Sequence, residues 1–236
     1  MKVTKKLIAA ILGEFLASLI VQFVGCLGST QRTLLFPSSL GVAFSWGCSV
    51  LAATQIFRIV SGAHINPCIS IASMILKQVK IVQGLIYILM QFLGSTVGFF
   101  IAYAFQESTT GFCNASFHES SFRFWKALLI EAYLTGAWVL AMCASWHPSN
   151  ELLSESISLR IGLVVTACHI IGATSTGPSM NPFRSLVPAV MSEDFDFIYI
   201  YMVVPPVTAI LLALAWRFIY VYNGNKSTVS EAPSTA

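Results

Sequence analysis

The sequence predicts an all-α membrane protein, with six transmembrane helices and two half-spanning re-entrant helices arranged as an inverted repeat. Three observations predict it. The 236 residues are 56% hydrophobic and only 10% charged, with mean hydropathy +0.77, whereas a soluble domain carries about 25% charged residues. So few charges cannot cover a water-facing surface, and lipid must cover much of it. Six apolar runs have the length of a bilayer crossing, and two further apolar stretches open on Asn-Pro, at Asn66-Pro67 and Asn181-Pro182.

The first span is Leu7–Leu27. Lys2, Lys5 and Lys6 precede it in the manner of a signal peptide. The run is longer than the roughly 7–15 apolar residues of a signal core. It also carries Glu14 and Gln22, and Gly25-Cys26-Leu27 is a poor cleavage site, so it reads as a retained span. The others are Leu40–Val60, Val82–Tyr103, Lys126–Ser145, Ile157–Ile171 and Phe197–Tyr220. A crossing takes about 20 apolar residues, so the fifth is short as written.

Two apolar stretches remain, Asn66–Leu76 and Asn181–Met191. Each holds about 11 residues, or roughly 16 Å of helix, about half of a ~30 Å hydrocarbon core. Asn is a strong N-cap, and proline suits the first helical position. Irregular backbone at membrane depth is tolerated only where it lines a cavity or is buried in protein. Two half-helices entering from opposite faces can meet and complete one crossing.

The surroundings of the two stretches repeat. Ser61-Gly62-Ala63-His64-Ile65-Asn66-Pro67 and Thr176-Gly177-Pro178-Ser179-Met180-Asn181-Pro182 share the pattern Ser/Thr-Gly-x-x-apolar-Asn-Pro, 115 residues apart. Glu14 stands 52 residues before Asn66, and Glu131 stands 50 before Asn181. Three spans per half place the halves in opposite orientations, the inverted-repeat logic of transporters. One channel domain over 1–222 is expected, with repeat one near 7–105 and repeat two near 123–222. The Ser/Thr/Asn-rich tail, 223–236, is expected to be disordered and cytoplasmic.

Six spans put both termini on one side. Nine Lys and Arg residues share that side (2, 5, 6, 58, 77, 80, 160, 217 and 226), and Arg32, Arg123, Lys126 and Arg184 fall opposite. This asymmetry predicts cytoplasmic termini. Asn114-Ala115-Ser116 is a glycosylation sequon in the loop assigned outside. A second, Asn225-Lys226-Ser227, falls in the tail and should stay unmodified.

The six cysteines form no CxxC pair and no zinc-ligand spacing. Five lie in apolar runs, where free Cys behaves as a small hydrophobe, and Cys113 sits in a polar loop. No structural disulfide is expected. Neither a nucleophile, a metal-ligand cluster nor a cofactor motif stands out. An enzyme, a cofactor and a metal are therefore not expected, and a net charge of +3 without a basic stripe argues against nucleic acid.

Together these residues resemble the aquaporin, or major intrinsic protein, family over nearly the whole chain. Ser61 to Pro67 matches the family's first signature, and Asn181-Pro182-x-Arg184-Ser185, continuing to Pro188-Ala189, matches the second. A lone Asn-Pro is uninformative, whereas two in this setting, with Arg three residues after the second Asn, are highly specific. Two departures stand out: the third motif residue is normally Ala, and here it is Cys68 and Phe183.

The resemblance implies a pore with Asn66, Asn181, Cys68 and Phe183 at its centre. The Phe183 side chain would point away from the lumen. The asparagine amides would donate to passing oxygens, and two helix N-termini, each carrying roughly half a positive charge, would repel cations. Trp46, His169, Pro178 and Arg184 would form the outer selectivity filter. His with Arg resembles water-selective members, and Trp resembles glycerol-conducting ones. Ser185, Ala189 and Tyr201 follow the water pattern. Glu14, Glu131 and Gln91 would support the half-helix loops, and His64 would line the cytoplasmic vestibule.

The implied function is passive passage of water through a pore in the lipid bilayer, excluding protons and ions. The expected setting is the plasma membrane and the expected assembly a homotetramer. The alternatives are a mixed channel for water and small neutral solutes (glycerol, urea, peroxide or ammonia), motivated by Trp46, and a closed structural or signalling member, motivated by Phe183.

Overall fold

A computed structural model describes residues 4–29, 39–106, 112–115, 124–173 and 175–221. In chain order the helices are α1 (Lys5–Gly28), α2 (Ser39–Ser61), α3 (Pro67–Ile75), α4 (Ile81–Ala104) and α5 (Phe124–Ser145). A 3-10 segment (Pro148–Ser156) leads into α6 (Ile157–Gly172), followed by α7 (Pro182–Ser192) and α8 (Ile198–Trp216). The described residues contain no strand. Six helical stretches are long and apolar enough to cross a membrane. The short pair, α3 and α7, are the two that begin after Asn-Pro.

Two spans differ from the sequence expectation at their ends. The fifth gains length on its N-terminal side, where the 3-10 segment and α6 together run from Pro148 to Gly172. The sixth keeps α-helical bonding only to Trp216, and Arg217–Val221 forms a π turn. The tail 223–236 with its sequon, Lys2, Arg32 and Arg123 lie outside the described residues.

The burial pattern is that of a protein whose solvent is hydrocarbon. Glu14, Gln22, Gln91, Glu131 and Arg184 are buried, while Leu12, Leu85, Leu129 and Val203 are exposed. Lipid tails are as apolar as leucine, so the helices associate through close packing rather than by expelling water. Small residues make that packing close. A Cβ on Gly94 of α4 would lie 2.2 Å from the Phe15 carbonyl oxygen of α1, and one on Gly98 would lie 2.3 Å from that of Leu19. On the facing pair, α2 and α6, a Cβ on Gly47 would meet the Gly162 carbonyl at 2.7 Å. The α3 and α7 stubs pack on each other and on α4 and α8.

Contrary to the sequence expectation, Cys26 and Cys113 form a disulfide, with Cα atoms 5.1 Å apart across 87 residues of chain. Cys26 lies in the last turn of α1. Residues 112–115 fold back over the distal face, where α1 ends and α2 begins, and this brings Cys113 to it. The pairing therefore depends on tertiary structure rather than on any local cysteine pattern. Cys48, Cys68, Cys143 and Cys168 are free.

Candidate functional site

The two Asn-Pro stubs meet tip to tip. Asn66 has extended backbone and caps α3, its Oδ1 accepting from the Cys68 N–H at 2.9 Å. Asn181 caps α7 in the same way, accepting from the Phe183 N–H at 3.0 Å. With Oδ1 committed, each amide nitrogen is directed across the junction. Asn66 Nδ2 donates to the Met180 carbonyl at 2.8 Å, and Asn181 Nδ2 donates to the Ile65 carbonyl at 3.2 Å. An amide NH2 has two protons, so one on each Asn remains after this exchange.

Strained backbone makes the exchange possible. Ile65 and Met180, each just before its Asn, have φ of 62° and 55°. Left-handed backbone is uncommon for non-glycine residues and a true outlier for a β-branched one. Such strain costs about 1–3 kcal/mol per residue and persists only where surrounding structure fixes it. Here it turns the two carbonyls toward the opposite stub. The sequence marks both positions only as apolar.

Buried carboxylates fix these loops from behind. Glu14 Oε1 accepts from Ser61 Oγ (2.7 Å) and the His64 N–H (2.9 Å), and Oε2 accepts from the Ile65 N–H (2.9 Å) and Gln91 Nε2 (2.7 Å). Gln91 Nε2 also donates to Ser70 Oγ at 2.9 Å. Glu131 is the counterpart in the second half. It accepts from Thr176 Oγ1 at 2.6 Å and from the Ser179 and Met180 N–H groups at 3.2 and 3.3 Å. The Ser/Thr of the repeated pattern therefore does one job twice, binding the carboxylate of its own half. Tyr201 adds a hydroxyl donor to the Thr176 carbonyl.

On the distal side, three of the four filter candidates converge. The His169 ring stacks on the Trp46 indole, with centroids 5.5 Å apart and planes 9° from parallel. The Arg184 guanidinium carbon lies 4.8 Å from the centroid of the Trp46 ring. Trp46 Nε1 donates to Ser29 Oγ at 3.1 Å. Its ring sits against Gly25, where a Cβ would fall 2.4 Å from it. His169 Nδ1 donates to the Val165 carbonyl at 3.0 Å, so Nε2 is the free ring nitrogen, buried and without a partner among the described residues. Arg184 Nη1 donates to the Cys113 carbonyl at 3.4 Å, and its Nε is likewise buried and unpartnered among the described residues. Pro178 is buried against Gly172. His169, Pro178 and Arg184 line a distal cavity of about 370 Å³, with Cys113 and Asn114 at its edge.

The remaining candidates stand around this axis. His64 is buried, with Nδ1 3.1 Å from Ser70 Oγ and its ring edge-on to Tyr87 and Trp146. Tyr87 and Trp146 carry no motif that the sequence reading could have used. Cys68 is fully buried in the hydrophobic core. Phe183 is half-buried and packs edge-on against Phe92 of α4, with centroids 5.4 Å apart. Asn114 Nδ2 donates to Ser192 Oγ at 2.9 Å and lies 3.4 Å from Asp194 Oδ2. Among the described residues no cluster of His, Cys, Asp and Glu could hold a metal ion.

Residues 1–216 match the family model described as Major intrinsic protein. Aquaporin-2 of Rattus norvegicus is 32% identical over 212 residues, covering 89% of this chain and 78% of that protein. Lens fiber major intrinsic protein of Bos taurus is 30% identical, covering 89% and 80%. Aquaporin-5 of Homo sapiens is 31% identical over 224 residues, covering 94% and 84%. The X-ray structure of the aquaglyceroporin from Plasmodium falciparum superposes with a TM-score of 0.81 over 94% of this chain and 100% of that one. At 20% identity that is a likeness of fold. The chain belongs to the major intrinsic protein family, and it is an integral membrane channel for water or small solutes, not an enzyme.

Proposed function

We propose that this channel passes water and excludes larger solutes, protons and ions. The observation that carries the reading is the distal cluster of Trp46, His169 and Arg184. A flat stack with a guanidinium over the same indole leaves little width, and the unpartnered His169 Nε2 and Arg184 Nε are polar groups that water can satisfy. Pore diameter, lining hydrogen bonds and electrostatic barriers together set selectivity in channels of this kind. Arg184 repels cations at the mouth. Further in, Asn66 and Asn181 each keep one N–H for a passing oxygen, beside the positive ends of α3 and α7. A water accepting from both amides offers no donor chain for a proton to follow.

The distal face is then the outer face and both termini are cytoplasmic, in line with the Lys and Arg asymmetry. His64 lies on the cytoplasmic approach, and a plasma-membrane homotetramer is the working assembly. Asn114 accepts its glycan before the loop folds, since its amide is afterwards engaged with Ser192. A mixed pore for water and small neutral solutes is the second reading, favoured by the bulky aromatic Trp46 standing beside Arg184.

Stopped-flow swelling of proteoliposomes tests the first reading. Fast osmotic water flow with low activation energy and little glycerol uptake is expected. Glycerol flux comparable to water flux establishes the second reading instead, and vesicles that swell no faster than empty ones refute both.

A further inference from the structure

Residues 112–115 lie over the distal mouth, held by four ties. Cys113 is bonded to Cys26 of α1. The Cys113 carbonyl accepts from Arg184 Nη1 at 3.4 Å. Asn114 Nδ2 donates to Ser192 Oγ at 2.9 Å. Phe112 packs on Phe99 of α4, with centroids 5.6 Å apart. Of these, only the disulfide is covalent. Cys113 itself has φ of 64°, left-handed backbone that a non-glycine residue leaves when nothing fixes it. A single hydrogen bond stretched to 3.4 Å is too weak to sustain that conformation alone.

We infer that the Cys26–Cys113 disulfide is a positioning element of the pore's distal constriction: by pinning the Cys113 carbonyl it holds the Arg184 guanidinium over Trp46, and its loss widens the range of solutes that pass. The inference rests on the water-channel reading above. Among the described residues, the Arg184 guanidinium donates one hydrogen bond, and that bond goes to the tied residue. Freed from it, the long Arg184 side chain gains rotamers, and the opening beside His169 and Pro178 is no longer set by one geometry.

Cys113 is buried but borders the distal cavity, so a small dithiol that enters the mouth meets this half of the disulfide first. With dithiothreitol, one thiolate attacks Cys113 Sγ and Cys26 leaves as the thiolate. The second thiol of the same molecule then displaces Cys113, giving cyclic oxidised dithiothreitol and two cysteine thiols that keep the two protons.

The test uses the full chain in proteoliposomes, in three forms: as assembled, after dithiothreitol, and as the Cys26→Ser/Cys113→Ser double variant. Alkylation with mass spectrometry should count four free thiols as assembled, for Cys48, Cys68, Cys143 and Cys168, and two more after reduction. The readout is the ratio of glycerol to water permeability, which a merely structural tie would not move while water flow persists. The ratio should rise roughly three- to ten-fold on reduction and in the double variant, the factor carried by one lost hydrogen bond. Dithiothreitol should add nothing to the double variant.

An unchanged ratio in protein whose two additional thiols are alkylated overturns the inference, as does finding those thiols free before reduction. If the double variant does not assemble, the reduced wild-type protein decides. The assembled form tests the underlying reading separately: glycerol flux equal to water flux there refutes water selectivity, while the disulfide's role stands or falls on the shift.

Discussion

Glu14→Ala removes one acceptor from four donors at once, and the structure says which of them recover. Ser61 Oγ is already 3.4 Å from the Phe57 carbonyl and can fall back on it. Gln91 Nε2 keeps Ser70 Oγ at 2.9 Å. The His64 and Ile65 N–H groups have no such alternative, being buried peptide donors whose bonds run to Glu14 at 2.9 Å. Leaving a buried donor unsatisfied costs about 1–3 kcal/mol, so the pair costs about 2–6 kcal/mol. For a chain of this size, roughly 2–4 °C of melting temperature per kcal/mol follows.

Glu14→Gln is the internal control. Its new amide NH2 would face Ile65 N–H and Gln91 Nε2, donor against donor, but Gln91 Oε1 is buried without a partner. Flipping the Gln91 amide satisfies that oxygen and removes one of the two clashes, while Ile65 N–H still faces a donor, so Gln should cost about half of the Ala effect. Melting of purified protein in detergent, paired with water permeability at matched reconstitution, measures both. Equal melting temperatures for Glu14→Ala and wild type would refute the claim that this carboxylate fixes the first loop. Equal losses for Ala and Gln would refute the flip.

Three further outcomes are expected. Phe183→Ala should leave water permeability unchanged and lower stability by about 0.5–1.5 kcal/mol, the worth of its edge contact with Phe92; faster water flow in the variant would show that the ring obstructs the pore. Gly98→Ala places a Cβ 2.3 Å from the Leu19 carbonyl, so it should separate α1 from α4 and cut the yield of folded protein in size-exclusion profiles. A normal profile would show that the crossing can give way there. Mercurials should inhibit water flow weakly, since position 178 is proline and Cys68 is buried in the core; strong inhibition that survives Cys68→Ala would place the reactive thiol elsewhere.

What could be read from the chain was what repeats. Six apolar runs, two Asn-Pro starts and two glutamates at nearly equal intervals before them are one pattern written twice, and each copy checks the other. The ends of the fifth span were harder, because Pro148–Ser156 is polar and its 3-10 winding continues α6 without any apolar signal. The geometry of contacts that occur only once was not legible, even where the family resemblance named the partners. The Trp46–His169 stack depends on how closely α2 approaches α6, which Gly47 and Gly162 permit without announcing it. The Cys26–Cys113 bond joins an apolar helix to a polar loop 87 residues away, and neither flank carries a spacing rule. The Ile65 and Met180 carbonyls matter through a backbone angle that their side chains disfavour, so residue type pointed away from them.

The crosswise exchange of amides and carbonyls has a consequence for how the chain is made. During synthesis the first half emerges with Asn66 Nδ2 lacking its acceptor, which arrives with Met180, 114 residues later. The Ile65 carbonyl waits likewise for Asn181. An orphaned polar group in hydrocarbon is costly, so neither half is complete by itself. The first must wait, with its stub tied from behind by Glu14 but open at its tip, until the second is threaded into the bilayer. The two halves made as separate polypeptides should each be short-lived, and should rescue one another when produced in the same cell.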